Sequence, residues 1–247
     1  MRRHTFSRPL GAALLFALAF SAPRGSVVAV AQPDATPTTY SCETAATPMP
    51  DMSTPMAGTV QDAMDMGTPA MSAAFDQMYI DMMMPHHESI VAMAQAALDR
   101  LEDDRLRQIA QRIIDAQLAE MDELRGYRNT FYGDGDPMPM NEQMMGMMTQ
   151  MMPGMGSMEE MAMQMDATSQ VAAICEAEDA DLAFIDLTIP HHVMAIAASE
   201  AAREQATHDE IRAFAERVIE DQQREIEELQ EIRMELYGSA TPEPVGA

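Results

Sequence analysis

The sequence predicts an all-α protein, a four-helix bundle made of two duplicated αα-hairpins. Its main support is an internal repeat, because residues 76–133 align without gaps to 181–238 at an offset of 105, with 21 identities in 58 positions. Within each copy, apolar residues recur with the period of an α-helix, and strand patterns are absent. Two helices joined by a short turn therefore account for each copy.

Local signals set the predicted ends of these helices. In the first copy, Asp103 or Asp104 can cap the second helix. In the second copy, Thr207-x-x-Glu210 forms a capping box for the corresponding helix. Each copy ends in Tyr-Gly, a signal for a helix C-terminus. The predicted segments are a first hairpin, 72–133, a Met-rich connection, 134–177, a second hairpin, 178–238, and a C-terminal tail, 239–247.

The N-terminus resembles an export signal, and we expect residues 1–31 to be a signal peptide. A basic start containing Arg2 and Arg3 precedes an apolar run over 10–22, and Ala29-Val30-Ala31 provides small residues for cleavage. That run is shorter than the roughly 20 residues that a membrane span needs. We therefore expect a secreted or periplasmic protein without membrane association after cleavage. Residues 32–71, rich in Pro, Thr and Met, are expected to form a flexible arm.

The chain is strongly acidic. Its net charge is -25, and without residues 1–31 it has 11 Arg against 40 acidic residues and no Lys. Such a surface repels nucleic acid and anionic lipid and attracts cations. Metal ions are therefore expected ligands, and nucleic acid is not an expected partner.

The only two cysteines, Cys42 and Cys175, precede the two repeats. In an oxidising compartment two such cysteines favour a disulfide. Two cysteines so far apart in sequence do not provide a cysteine-based zinc site.

Each hairpin is predicted to place a His-His pair opposite a Gln-x-x-Glu pair, the two walls of a polar site. His86 and His87 follow Pro85, and His87 and Gln117 each lie 15 residues from Glu102, the expected turn. At about 1.5 Å rise per residue, both lie at one level of antiparallel helices. Glu120 shares a helix face with the glutamine, since the two are three residues apart.

The second hairpin repeats this arrangement with His191, His192, Gln222 and Glu225. Packed with pseudo-twofold symmetry, the hairpins could gather four histidines at mid-bundle. Buried histidines need partners, because an unsatisfied polar group costs roughly 1–3 kcal/mol. The contacts could form an inert polar network, or they could orient imidazoles toward a metal, which we favour. The side chains predicted to orient them are Asp81, Gln117, Glu120, Asp186, Gln222 and Glu225.

Methionines suggest a soft metal, since thioethers favour Cu(I). Met83 lies one turn before His87, and Met93 lies two turns after His86. Both are candidate ligands. Residues 138–165 contain 13 methionines in 28 positions. Interspersed Gly, Pro and charged residues favour metal binding over core packing for this segment, although Met is also an adaptable filler.

These motifs resemble the family called domain of unknown function 305, which includes CopM-like copper-binding proteins. The resemblance rests on Ile80-Asp81-Met82-Met83-Met84-Pro85-His86-His87 with Gln117-x-x-Glu120, and on their counterparts in the second repeat. It implies a ferritin-like helical bundle, export and copper handling in at least some members. The pattern departs from di-iron bundles, because neither repeat contains their Glu-x-x-His pair.

The sequence therefore predicts an exported protein that binds and sequesters copper, as Cu(I), Cu(II) or both, and confers copper tolerance. The predicted ligands are His86, His87, His191, His192, Met83 and Met93. Copper is favoured over iron and zinc, and we expect no catalytic activity. Two alternatives stay open, a metal-free structural or partner-binding module and a redox enzyme with a bundle-centred metal site. Besides metal ions, the candidate partners are a second copy of the chain, in a homo-oligomer, and a copper-trafficking protein.

Overall fold

Helices form all regular secondary structure in the described part of the chain, as the all-α prediction requires. The structure is a computed structural model that describes residues 40–43 and 68–241. The predicted signal peptide, 1–31, most of the arm, 32–71, and the end of the tail, 242–247, lie outside the described residues. The helices are α1 Thr68–Ala97, α2 Asp104–Tyr132, α3 Glu142–Met151, α4 Met158–Gln164, α5 Ala167–Glu176, α6 Ala180–Gln205 and α7 Asp209–Tyr237.

The two predicted hairpins are present and pack together as a helical bundle. Helices α1 and α2 form the first hairpin, and α6 and α7 form the second. Helix α1 packs against α6 and also against α5, whereas α2 and α7 meet only over a small area. The central helices α1 and α6 are therefore surrounded on several faces, which explains why polar residues on more than one face of each are buried.

The ends of the hairpin helices follow their local signals. Asp103 caps α2 by accepting a hydrogen bond from a backbone N–H in the first turn. Helices α2 and α7 end at Gly133 and Gly238, whose φ angles of 79° and 76° lie in the left-handed region. The N–H groups of these glycines donate to the carbonyls of Asn129 and Met234. Glycine adopts this conformation without the steric cost of a Cβ, so the repeated Tyr-Gly is a true helix stop.

The capping box predicted at Thr207 and Glu210 is wrong. His208 is the N-cap of α7, and its side chain makes no capping hydrogen bond. Instead Asp76, on α1, accepts hydrogen bonds from the backbone N–H groups of Thr207, at 2.9 Å, and of His208, at 2.9 Å. Its repeat equivalent Asp181, on α6, does the same for the backbone that precedes α2. Each hairpin thus caps the turn of the other across the bundle.

The Met-rich connection is a packed helical segment, contrary to the prediction that its Gly, Pro and charged residues disfavour core packing. Asn141, Ser157 and Asp166 cap α3, α4 and α5, so the polar residues start helices instead of interrupting a core. Thioethers on one side of α3 and α4, and in the turn between them, then pack into the apolar core. The buried methionines of the segment are Met144, Met148, Met152, Met155 and Met161.

A disulfide joins Cys42 to Cys175, as predicted from the cysteine count. It attaches the described part of the N-terminal arm to α5. Next to it, the Arg100 side chain donates to the carbonyl of Ala177 at 2.7 Å and also to that of Ile174. These contacts hold α5 against the end of α1, so the bundle has a fifth helix on the face of α1 that the two-hairpin prediction leaves open.

The apolar core consists of two clusters along the bundle axis. One contains residues 75–84 of α1 and 194–202 of α6, together with the buried methionines of the connection. The other contains 90–97 of α1 and 184–189 of α6, together with buried residues of α2 and α5. The segments between them on α1 and α6 contain the two Pro-His-His motifs. The motifs therefore form a polar layer between two apolar ends.

Helix α6 is long and apolar enough to cross a membrane by length and composition alone. However, 56% of its most apolar window is buried inside the bundle. That burial is typical of the core helix of a globular bundle, and we interpret α6 in this way.

Candidate metal centre

All four histidines of the repeated motif lie in the layer between the apolar clusters. His86 and His87 on α1, and His191 and His192 on α6, are all 0% exposed. The rings of His86 and His191 stack across the α1–α6 contact, with centroids 3.7 Å apart and planes at 37°. Within each motif the neighbouring rings are 6.1 Å and 6.3 Å apart. The repeat thus brings two histidine pairs together at mid-bundle.

The outer histidine of each pair contacts a glutamate of the returning helix in its own hairpin. His192 Nε2 lies 2.8 Å from Glu225 Oε2 in a well-aligned hydrogen bond. His87 Nε2 lies 2.9 Å from Glu120 Oε2, but the angle is too bent for a normal hydrogen bond. Each glutamate orients one imidazole and favours its Nε2–H tautomer, which leaves Nδ1 as the atom with a free lone pair.

Many polar atoms of this layer are buried without a hydrogen bond of normal geometry. They are Nδ1 and Nε2 of His86 and of His87, Nδ1 of His191 and His192, Oε1 of Gln117, Nε2 and Oε1 of Gln222, and Oγ1 of Thr188. Each such atom costs roughly 1–3 kcal/mol if it stays unpaired. Imidazole nitrogens are ligands suited to copper, zinc and iron. The donor set therefore fits a bound ion, which would offset part of this cost.

The donors are near one another but are not arranged as a ready-made site. Within the described ranges, no three His, Cys, Asp or Glu side chains are grouped so that they could hold a metal ion. The stacked rings of His86 and His191 present their faces to each other, so binding a common ion requires a rotation of at least one imidazole. This rearrangement concerns side-chain angles, since the helices already place the four residues together.

Asp81 and Asp186, predicted to orient the histidines, form ion pairs with arginines. Arg128 Nε donates to Asp81 Oδ1 at 2.5 Å, and Arg233 Nε donates to Asp186 Oδ1 at 2.6 Å. Both arginines also donate to the backbone after their own helix, at Asp134 and at Ser239. The same offset of 105 residues relates the two arginines, and this is the signal by which the sequence could identify them.

Ser89 is a residue of the site that the repeat pattern does not predict. It is fully buried, and its Oγ lies 3.0 Å from His191 Nε2 across the α1–α6 contact. Its equivalent in the second copy is Met194, which is also buried. A comparison of the two repeats therefore shows no shared polar residue at this position, and only the packing of α1 on α6 reveals the contact.

The methionines proposed as ligands are buried on both sides of the histidine layer. Met83 belongs to one apolar cluster and Met93 to the other. In the second repeat, Thr188 occupies the position of Met83, and Ala198 that of Met93. The two halves of the centre thus differ in thioether content, as the sequence comparison indicates.

Burial and mutual repulsion keep the two stacked histidines neutral. Removal from water lowers the pKa of His86 well below its usual 6.5, and positive charge on His87 or His192 would lower it further. Burial likewise lowers the pKa of His191, with additional repulsion from His86, His192 and His87. Neutral imidazoles are the form that binds metal ions, so the lowered pKa values of His86 and His191 favour the form of these two rings that can act as ligands.

We expect the metal-free protein to lose stability as the pH falls below 6.5. In the unfolded chain His86 and His191 take up protons near that pH, whereas in the folded protein their pKa values are lower. The unfolded state then binds more protons, and the free energy of unfolding falls by up to about 1.4 kcal/mol per pH unit for each histidine. The loss continues until the pH reaches the folded-state pKa.

Urea unfolding at pH 7.5, 6.5 and 5.5 measures this slope. The matched control is the double variant His86→Gln/His191→Gln, in which the slope is expected to be smaller. Equal slopes in the two proteins would show that these histidines are not the source of acid sensitivity.

The chain resembles known proteins over most of its length. The family model described as domain of unknown function (DUF305) matches residues 31–128 and 76–233. Among solved structures, CopM in the Cu(II)-bound form is 25% identical, covers 66% of this chain and 97% of its own, and has a TM-score of 0.51. CopM in the Cu(I)-bound form is 24% identical, covers 66% and 98%, and also has a TM-score of 0.51.

A third structure is a Streptomyces coelicolor protein of the same domain family, provisionally described as secreted. It is 20% identical, covers 70% of this chain and 99% of its own, and has a TM-score of 0.55. At 20% identity the likeness to this protein concerns the fold alone, and the same holds for the Cu(I)-bound form of CopM at 24%. No curated protein matches the chain.

Proposed function

This chain belongs to the family described as domain of unknown function (DUF305), and from that premise we propose that it is an exported protein that binds and sequesters copper. The observation that carries the proposal is the layer of four fully buried histidines, in each of which Nδ1 lacks a hydrogen-bond partner. The related structure of CopM with Cu(II) bound, which is 25% identical to this chain, supports copper as the ion. His86, His87, His191 and His192 would bind it, with Met83 and Met93 as nearby thioethers.

Copper is favoured over zinc and iron by the composition of this layer. Divalent copper binds nitrogen donors more tightly than the other first-row metals do, and Cu(I) accepts both imidazole and thioether ligands. Carboxylates would not be needed as ligands, because Glu120 and Glu225 are engaged with histidines. Their role is to orient imidazoles and to balance the positive charge of the ion.

We propose that exposed methionines of the connection make a first, weaker contact with Cu(I). Met158 and Met163 on α4 are 49% and 51% exposed, whereas most other thioethers of the segment pack in the core. The last carbonyl of α4, at Gln164, accepts a hydrogen bond from Ser89 in the histidine layer. Thioethers on α4 thus lie on a helix that directly covers the candidate centre.

Three features support export and a role outside the cytoplasm. The disulfide between Cys42 and Cys175 is typical of oxidising compartments. The sequence of residues 1–31 predicts a signal peptide, and the excess of acidic residues favours the accumulation of cations. We expect the protein to bind copper without catalysing a reaction and to raise the copper tolerance of cells that export it.

Metal loading of the purified protein tests the proposal. We expect copper to bind in preference to zinc and iron. Replacement of the stacked pair in His86→Gln/His191→Gln is expected to lower copper affinity by at least about 100-fold, because metal-binding side chains are lost in both repeats. These two histidines have no acidic partner, so their replacement leaves no carboxylate unpaired. The measurement is competition titration with chelators of known affinity, for Cu(I) and Cu(II) separately.

A control outside the layer is His208→Gln at the N-cap of α7. Unlike the stacked pair, His208 contacts a buried carboxylate, that of Asp76, so the folded state of this variant is checked first. Copper affinity is expected to stay within a factor of two in this variant. If His86→Gln/His191→Gln binds copper as tightly as the unmodified protein does, the histidine layer is a polar packing network and copper binds elsewhere in the chain. If the unmodified protein binds no copper, the metal-free module is the better description. The variant Met158→Leu/Met163→Leu tests the proposed first contact with Cu(I). We expect it to take up Cu(I) more slowly and to reach the same final affinity.

A further inference from the structure

Ser89 contacts three polar groups with a single hydroxyl proton. Its Oγ lies 2.8 Å from the carbonyl oxygen of His86, contacts the carbonyl oxygen of Gln164, and lies 3.0 Å from His191 Nε2. Both carbonyl oxygens can only accept hydrogen bonds. A serine in a helix commonly donates to the carbonyl three or four residues earlier, which is the position of His86.

This proton count determines the direction of the hydrogen bond to His191. If the hydroxyl donated to the imidazole, the Oγ lone pairs would face two carbonyl oxygens at contact distance, which is repulsive. If the hydroxyl proton points at the carbonyls, Oγ is free to accept a hydrogen bond from the ring. In the second arrangement the two carbonyl oxygens share the hydroxyl proton and Oγ accepts from the ring, so Nε2 of His191 carries a proton.

We propose that Ser89 is a positioning residue that holds His191 in the Nε2–H tautomer, so that Nδ1 is the nitrogen available to a soft or borderline metal cation. Glu225 imposes the same tautomer on His192 through its aligned hydrogen bond with Nε2. Nδ1 of both histidines is buried and makes no hydrogen bond. The second repeat therefore presents two preorganised Nδ1 donors.

The first repeat is less constrained, although it has the larger number of methionines. Met194 occupies the position equivalent to Ser89, and neither ring nitrogen of His86 makes a hydrogen bond of normal geometry. The contact of His87 with Glu120 is bent. His86 is thus the imidazole most able to rotate when an ion binds, while His191 is held in place.

Ser89 also connects the Met-rich connection to the centre. Gln164 is the last residue of α4, and the final carbonyls of a helix have no partner within it. Ser89 supplies such a partner. The same hydroxyl therefore anchors the helix that covers the histidine layer and sets the tautomer of one of its rings.

The experiment is ring ¹⁵N NMR of the oxidised, metal-free protein, which distinguishes the two tautomers by the shifts of Nδ1 and Nε2. His191 and His192 are expected as Nε2–H tautomers in the unmodified protein. In Ser89→Ala, His191 is expected to give averaged shifts while His192 is unchanged. Ser89→Thr, which keeps the hydroxyl, should restore the single tautomer. Ser199→Ala removes another buried hydroxyl of the bundle, bonded to Tyr79, and should leave His191 unchanged.

Only one consequence of the inference rests on the proposed copper function. If copper binds at this layer, Ser89→Ala is expected to lower copper affinity by about 10- to 100-fold, the usual effect of losing a residue that orients a metal-binding histidine. The NMR result on metal-free protein is independent of copper. An Nδ1–H tautomer at His191 in the unmodified protein overturns the inference even if copper binds. If His191 is the Nε2–H tautomer but the protein binds no copper, the proposed function is wrong and the inference about Ser89 still holds.

Discussion

Asp81→Asn is expected to lower the free energy of unfolding by about 3–5 kcal/mol, the usual cost of leaving one charge of a buried ion pair without its partner. Asp81 is fully buried, and its partner Arg128 is only 4% exposed. Asparagine keeps the shape of the side chain but not its charge, so the guanidinium remains in the core with only the exposed carboxylate of Asp134, at 3.9 Å, near it. Urea unfolding at pH 7.5 measures the loss.

The duplication provides a matched control. Asp186→Asn removes the equivalent carboxylate, but the Asp186 side chain is 28% exposed, so water can replace part of the interaction. We expect a smaller loss there, about 1–2 kcal/mol, nearer the cost of one charge-assisted hydrogen bond. Equal losses at the two positions would contradict the argument from burial.

A second comparison separates the energy of the Asp81–Arg128 ion pair from the cost of removing its two charges from water. Burial raises the pKa of Asp81 despite the neighbouring Arg128, so removal from water outweighs the pairing. Asp81→Leu/Arg128→Met removes both charges and is expected to recover most of the stability that Asp81→Asn loses. Copper affinity of folded Asp81→Asn tests the expectation that Asp81 orients the histidines. An unchanged value would restrict Asp81 to the ion pair.

Loss of the disulfide is expected to lower the free energy of unfolding by about 3–5 kcal/mol. Cys42 and Cys175 are separated by 133 residues, and a cross-link over so long a loop removes much conformational entropy from the unfolded chain. In the folded protein it holds α5 against α1. Cys42→Ser/Cys175→Ser, compared with the oxidised protein by urea unfolding, measures the change.

Reduction is a specific test of this disulfide because of the cysteine content of the chain. The sequence contains no other cysteine, so a reductant acts on this bond alone. The reduced protein should unfold like the double serine variant, and reductant should not affect that variant. Unfolding midpoints that do not differ between oxidised and reduced protein would show that α5 and the hairpins are stable without the cross-link.

The hairpins, their ends and the histidine layer could be predicted because their signals are local or duplicated. Helical periodicity defines the faces of α1 and α6, and glycine at the C-terminus of α2 and α7 stops each helix by a backbone preference. A motif repeated at one offset must occupy equivalent places in a pseudo-symmetric bundle. Sequence spacing therefore indicated that the Gln-x-x-Glu pair of each hairpin faces its His-His pair. The individual contacts of Glu120 with His87 and of Glu225 with His192 come from the structure.

Contacts between the hairpins could not be predicted in this way. Asp76 lies 131 residues before Thr207 in the sequence and accepts a hydrogen bond from its backbone N–H. A tertiary contact therefore takes the place of the predicted local capping box. The contact of Ser89 with His191 joins positions that are not equivalent in the two repeats. Methionine is unbranched and adaptable, so composition alone cannot separate a ligand from a core residue such as Met148.

The sequence by itself determined the helical repeat, the disulfide partners and the grouping of the four histidines on two central helices. The tertiary structure decided what each side chain does there, because function depends on which atoms are paired when α1 packs against α6. Asp81 and Asp186 are taken by arginines, and most thioethers of the connection pack in the core. The buried atoms left without a hydrogen bond include six imidazole nitrogens of the four histidines, and these nitrogens define the candidate metal centre.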